Sequence, residues 1–174
     1  MCGISGFINF SKNLSKQDLE KFGLKMSQSL HKRGPDSFGV WSDKNNGISL
    51  SHRRLSIIDL SVKSNQPMIS SNSRYVLVYN GEVYNYLEIR KKLENLDVRF
   101  KTTSDTEVIL ESVSKLGLEK TIKEINGMFA FAIWDKNEKK LFLVRDRIGI
   151  KPLYWYYNGN YFAFASEIRA YRPP

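Results

Sequence analysis

A chain of 174 residues is long enough for one domain with a sizeable core, and its 41% apolar and 26% charged residues are ordinary for a soluble globular protein. The longest apolar run, Met128 to Trp134, is far shorter than the roughly 20 residues of a membrane helix, so no membrane partner is expected. A net charge of +9 raises nucleic acid as a partner, yet the basic residues are scattered (Lys32-Arg33, Arg53-Arg54, Arg90 to Lys92, Lys139-Lys140) with no zinc-finger or RNP-like motif, which predicts a solvated basic surface and no nucleic-acid site.

In chain order, residues 3–10 read as a strand. Ser15 and Asp18 stand at capping-box spacing, and Leu19, Phe22, Met26 and Leu30 then recur at helical intervals. Residues 38–42 and 47–55 read as two strands joined at Asn46-Gly47, a hairpin signal. The polar stretch 60–73, with Pro67, reads as a loop, and 74–79 as a short apolar strand. A helix with Tyr86, Ile89, Leu93 and Leu96 on one face follows. A second begins near Asp105, with Ser104 and Glu107 at capping-box spacing and Ile109, Val113 and Leu116 facing inward. Residues 128–135, 140–145, 153–157 and 161–166 read as strands, the last two joined at Asn158-Gly159. In "GMFAFAIWD" both faces are apolar, so that strand must be covered on both sides. Two packed antiparallel sheets flanked by helices are therefore expected.

The single cysteine, Cys2, excludes an internal disulfide, and with His31 and His52 it gives no metal-ligand spacing. Residues 1–30 lack a charged start followed by an apolar block, so no secretory signal is expected. These readings together predict a cytoplasmic, metal-free protein.

Removal of Met1 would leave the Cys2 thiol beside its own α-amine. The unperturbed pKa of such an amine, near ~8, suits a general base. A buried small hydrophobe is the plainer reading of Cys2, and a Cys-His pair with His52 or His31 is the rival catalytic one. Asn80-Gly81-Glu82 reads as a turn, or as an oxyanion hole from an amide and a glycine N–H with Glu82 near a ligand ammonium. Arg54 could clamp a carboxylate. Asp105 could be a helix N-terminal residue or a second carboxylate for the ammonium. One guanidinium and two carboxylates together suit a zwitterionic amino acid.

The stretches "MCGISGF", "HKRGPDSFGVW", "HRRLSIIDLS", "QPM", "YNGEVYNYLEIRKKL", "TTSDTEVIL", "NGMFAFAIWD", "RDRIGIKPLYW" and "FASEI" run in one order along almost the whole chain. In that order the chain resembles the glutaminase domain of glutamine-hydrolysing asparagine synthetase, a class II glutamine amidotransferase domain over 1–174. The resemblance implies an α+β fold, a four-layer αββα sandwich of the N-terminal-nucleophile hydrolase type. It implies Cys2 as nucleophile, with Asn80 and Gly81 as the oxyanion hole. It also implies a glutamine site of Arg54, Leu55, Ser56, Ile57, Ile58, Asn80, Gly81, Glu82 and Asp105, with 55–58 as a strand lining the substrate. Glutamine is the implied substrate, and a synthetase domain or subunit the implied partner; a homodimer is compatible with it. The Ser-Gly-Gly-x-Asp-Ser loop of such synthetase domains does not occur in this sequence, and the chain is expected to cross toward that domain at "YRPP". No cofactor is expected here, since ATP and magnesium would belong to that domain. A module that binds glutamine without turnover is the alternative.

Overall fold

The fold follows from how side chains alternate along the strands. In the computed structural model, which describes residues 1–171, Gly3–Asn9 (β1) sends Ile4 and Ile8 to one face and Phe7 to the other. Ile48–Arg54 (β3) likewise puts Ile48 and Leu50 on the first face, and Tyr161–Ala165 (β9) adds Phe162 and Phe164 there. With Ser37–Asp43 (β2) and Tyr154–Tyr157 (β8), these strands form a five-stranded antiparallel sheet in the order β2-β3-β1-β9-β8.

The second sheet has the order β4-β5-β6-β7, built from Met68–Ile69 (β4), Tyr75–Val83 (β5), Gly127–Asp135 (β6) and Lys140–Arg145 (β7). Val76, Val78, Ala130, Ala132 and Trp134 point from it toward the first sheet, where they meet Ile4, Ile48, Leu50 and Phe164 in one buried layer. The opposite face carries Leu77, Tyr79, Phe129, Phe131 and Ile133 against the helices Tyr86–Glu94 (α2), Asp105–Leu116 (α3) and Leu118–Glu124 (α4). On the far side of the first sheet lies Lys16–Ser29 (α1), whose Leu19 and Met26 pack on Phe7 and Ala163. The result is the expected αββα sandwich. Each fully buried side chain such as Phe131, Phe164 or Leu50 contributes about 1.5–3 kcal/mol.

Local chemistry sets most boundaries. Ser15 and Asp18 form a complete capping box at α1. At α3 only half the expected box forms: Ser104 Oγ accepts the N–H of Glu107, but the Glu107 carboxylate turns back to the N–H groups of Lys101 and Thr102. The β2–β3 connection runs through a short 3₁₀ turn to Gly47 at φ +65°, where a Cβ would lie 2.3 Å from the carbonyl oxygen of Asn9.

Other expectations are corrected. Leu96 lies beyond the end of α2 and is exposed, because the chain turns at Asn95 and Leu96. α4 follows α3 after one glycine where no helix was expected. Asn80, Gly81 and Glu82 are not a turn: β5 continues through them, paired with Ala130, Phe129 and Met128. Residues 55–58 are not a strand. β3 stops at Arg54, and the N–H of Ser56 goes to the Asp36 carboxylate at 2.8 Å in place of a strand partner. Of the expected crossing at "YRPP", 172–174 lie outside the described residues. Among the described residues no helix is long and apolar enough to cross a membrane.

Candidate active site

β1, β3, β5 and the start of α3 end around one cavity of about 160 Å³, lined among others by Cys2, Arg54, Leu55, Ile57, Ile58, Asn80, Gly81, Glu82 and Asp105. Nine of the ten residues expected from the sequence therefore meet at one place (all but Ser56, which points its N–H to Asp36 and does not line the cavity).

Cys2 sits just ahead of β1. Its thiol donates to the carbonyl of Leu55 across 3.6 Å and accepts the N–H of the same residue at 3.4 Å. Burial pushes the thiol pKa above its ordinary value, and nearby Asp105 adds to the rise; the Leu55 N–H, the chain's terminal ammonium and Arg54 act the other way. The rival Cys-His pair does not form. His52 is buried between the sheets, where its Nε2 meets the Tyr79 carbonyl at 3.0 Å, and burial lowers its pKa to about 3. His31 contacts the Arg53 guanidinium. Neither imidazole lines the cavity.

Asn80 faces inward from β5 with its Nδ2 buried and without a hydrogen-bond partner among the described residues. A free amide donor in a cavity wall is a costly arrangement unless something arrives to accept from it. Next to it Gly81 has no room for a side chain: a Cβ would lie 2.4 Å from the Met128 carbonyl oxygen. Backbone pairing with β6 thus fixes the amide and the adjacent glycine side by side.

At the other end Ser104 caps α3 and puts Asp105 at its first turn. Asp105 Oδ2 accepts from the Tyr79 phenol at 2.6 Å and from the Val83 N–H at 3.1 Å. Burial nonetheless raises its pKa, with Glu82 adding to the rise. Glu82 itself is exposed at the rim. The Arg54 guanidinium binds the carbonyls of Ser61 (2.8 Å) and Asp59 and the Asn65 side chain (2.8 Å), so it braces the loop that carries Ile57 and Ile58.

The sequence reading missed three residues here. Arg33 Nε donates to the Cys2 carbonyl at 2.9 Å while its other arm pairs with Glu167 at 3.1 Å, which pins the backbone of the thiol-bearing residue. Gln66 Oε1 accepts the Tyr79 N–H at 2.6 Å. Lys151 lines the cavity and is buried. All three stand inside stretches that carried the resemblance, but their contacts span long sequence distances that spacing does not reveal. Among the described residues no group of three or more His, Cys, Asp or Glu is placed to hold a metal ion.

A model of the glutamine amidotransferase domain matches residues 1–173. The chain is 43% identical to a putative glutamine-hydrolysing asparagine synthetase 2 of Methanocaldococcus jannaschii, over 97% of this chain and 34% of that protein. It is 40% identical to asparagine synthetase 3 of Bacillus subtilis, over 98% of this chain and 27% of that protein. It therefore spans about a third or less of the length of these relatives. The structure resembles that of glutamine phosphoribosylpyrophosphate amidotransferase from B. subtilis, with a TM-score of 0.79 at 22% identity, covering 98% of this chain and 43% of that one, which supports the fold. On the family match and on relatives aligned across nearly all of its residues, the chain belongs to the glutamine amidotransferase domain family.

Proposed function

We propose that this chain hydrolyses glutamine to glutamate and ammonia, with Cys2 as nucleophile once Met1 has been removed. The observation that carries the proposal is the buried, unpartnered amide of Asn80 in the same cavity wall as Gly81 and Cys2. In this reading the α-amine of Cys2 takes the thiol proton, and sulfur attacks the side-chain amide carbon of glutamine. The oxyanion accepts from Asn80 Nδ2 and the Gly81 N–H. The amine returns the proton to the departing nitrogen, which leaves as ammonia with formation of a thioester. Water then adds to the thioester, giving glutamate and the free thiol. Arg54 faces the glutamine carboxylate, Glu82 and Asp105 its ammonium, and Leu55, Ile57 and Ile58 border the ligand.

The ammonia would feed an ATP-dependent amidation of aspartate in a synthetase domain or subunit; the relatives are named glutamine-hydrolysing asparagine synthetases, and their length extends well beyond the region matched. ATP and magnesium would serve that part. A reducing compartment, the cytoplasm, suits a catalytic thiol. The test is glutamate release by the chain after Met1 removal has been verified by mass, with Cys2→Ala beside it. Release that drops by about 10³-fold or more in the variant is expected; folded, processed protein that releases no glutamate overturns the reading.

A further inference from the structure

The turn after β7 holds Lys151 with unusual economy of means. Asp146 accepts from the N–H groups of Ile150 (2.8 Å) and Lys151 (2.9 Å), and also from Phe129 of β6 at 3.2 Å. Arg145 Nε donates to the Lys151 carbonyl at 2.6 Å and its Nη2 to that of Gly149 at 2.6 Å. Both backbone polar groups of Lys151 are thus fixed, and its side chain is directed into the cavity wall, where the residue is only 5% exposed.

A buried ammonium ordinarily has a carboxylate or several carbonyls around it. Among the described residues no carboxylate lies within ion-pairing distance of this one, and its one hydrogen-bond partner is the thioether of Met1, at 3.2 Å. A thioether is a weak acceptor. Moreover, it belongs to the residue whose departure exposes the Cys2 amine. The turn therefore fixes the backbone from which an ammonium reaches Met1, the residue that precedes Cys2.

We propose that Lys151 is a positioning residue: once Met1 has gone, its ammonium faces the N-terminal amine of Cys2 and keeps that amine neutral and able to accept the thiol proton. A nearby cation disfavours a second cation and favours a thiolate, so one charge assists both partners of the proton transfer. With Met1 gone, the other ionisable groups around Cys2 are Arg33 on its carbonyl, Arg54 of β3, Asp59 of the loop that follows, Tyr79 and Glu82 of β5, and Asp105 of α3. Beside Lys151, Arg145 and the Asp146 carboxylate are engaged by backbone groups of the turn. The carboxylates of Asp59, Glu82 and Asp105 favour a protonated amine, and Lys151 opposes them together with Arg33 and Arg54.

The inference rests on Cys2 and its amine acting as proposed above, and the test separates the two. Processed parent, Lys151→Met and Lys151→Arg chains are compared by the pH profile of kcat/KM for glutamine and by the pH dependence of Cys2 alkylation with iodoacetamide. In K151M the acid limb of both profiles is expected to move up by about one pH unit, the scale of a single charge in a water-poor cavity; K151R returns it toward the parent. Where K151M does not fold, Lys151→Gln, which keeps a polar head, reads the same shift. A lysine of purely structural value lowers the melting temperature and leaves both limbs in place, and that result overturns the proposal. A parent that alkylates with the expected shift in K151M but releases no glutamate overturns the glutaminase reading and leaves Lys151 in its role.

Discussion

The phenol of Tyr79, in the middle of β5, donates to the carboxylate of Asp105, the first residue of α3, across 2.6 Å. The two residues belong to different layers, and the bond locks the sheet to the helix at the cavity wall. Asp105 is buried, and burial raises its pKa despite the bonds from Tyr79, Val83 and Thr106; Glu82 raises it further. A carboxyl whose folded pKa lies above its unfolded value holds more protons in the folded state. Its contribution is present at low pH and is lost as pH rises from 3.8 through the folded value. At neutral pH the charge on Asp105 thus weighs against the fold.

The first prediction follows directly. Asp105→Asn keeps an acceptor for Tyr79 and removes the charge, so its denaturant midpoint at neutral pH is expected to equal or exceed that of the parent. KM for glutamine is expected to rise about tenfold to a hundredfold, the value of a lost charge-assisted contact. A less stable D105N chain with unchanged KM would place Asp105 in the scaffold alone.

Asn80 gives a second case in which site and stability pull apart. Its Nδ2 is buried without a partner. Asn80→Ala removes that orphan and is expected to leave the melting temperature unchanged or higher. The same substitution is expected to lower kcat by about 10²–10³, as for loss of one oxyanion donor. Steady-state kinetics and a thermal melt on one preparation decide it; unimpaired kcat removes Asn80 from the oxyanion hole.

Gly81 should behave in the opposite sense. A methyl there would sit 2.4 Å from the Met128 carbonyl oxygen and 2.6 Å from the Phe129 Cα, both backbone atoms of β6. Gly81→Ala is expected to cost about 1–3 kcal/mol, the usual range for forced overpacking, and to abolish glutamate release. Urea unfolding checks the first part. An alanine chain of parental stability would show that β5 and β6 part easily at this point.

A fourth prediction concerns acid. Burial alone would raise the Asp146 carboxyl, but backbone N–H groups of Lys151, Ile150 and Phe129 outweigh it and hold the pKa below 3.8. Asp135 is lowered against its own burial by Arg74. For both, the contribution to stability is present above 3.8 and vanishes as pH falls through the lower folded value. Asp146→Ala is expected to lose about 1.5–3 kcal/mol at neutral pH through its stranded amides, and to show a shallower decline between pH 4 and 2. Circular dichroism through an acid titration tests this; parallel declines in parent and variant refute it.

The sequence carried the layering well because that layering is local in origin. Ser15 with Asp18, Asn46-Gly47 and Asn158-Gly159 act within a few residues, and the doubly apolar run at 128–134 demands cover on two sides wherever it is placed. What it concealed depends on partners far along the chain. Asn80-Gly81 reads as a turn by composition, and only pairing with Ala130 and Phe129 keeps it extended. Glu107 stands at capping spacing, yet the amides of Lys101 and Thr102 compete for it successfully. For the site, Cys2, Arg54, Asn80, Gly81, Glu82 and Asp105 stand out as candidates by their chemistry and take their roles from the resemblance, and the cavity brings them together. Arg33 and Lys151 act at separations of 31 and 150 residues from their partners, where no periodicity applies.

Arg54 has one further consequence. Its guanidinium serves as the hub for Asp59, Ser61 and Asn65, so the loop and any bound carboxylate draw on the same donors. A ligand carboxylate that took them would loosen three fastenings at once, and its departure would restore them. On that expectation the cavity has a floor woven from the paired β5 and β6 and a wall whose tightness would follow occupancy. Amide hydrogen exchange should register this as faster exchange in 59–65 when glutamate is added, with the amides of β5 unchanged. The loop would then act as a reporter of the ligand, written in backbone protons, at a distance from the thiol.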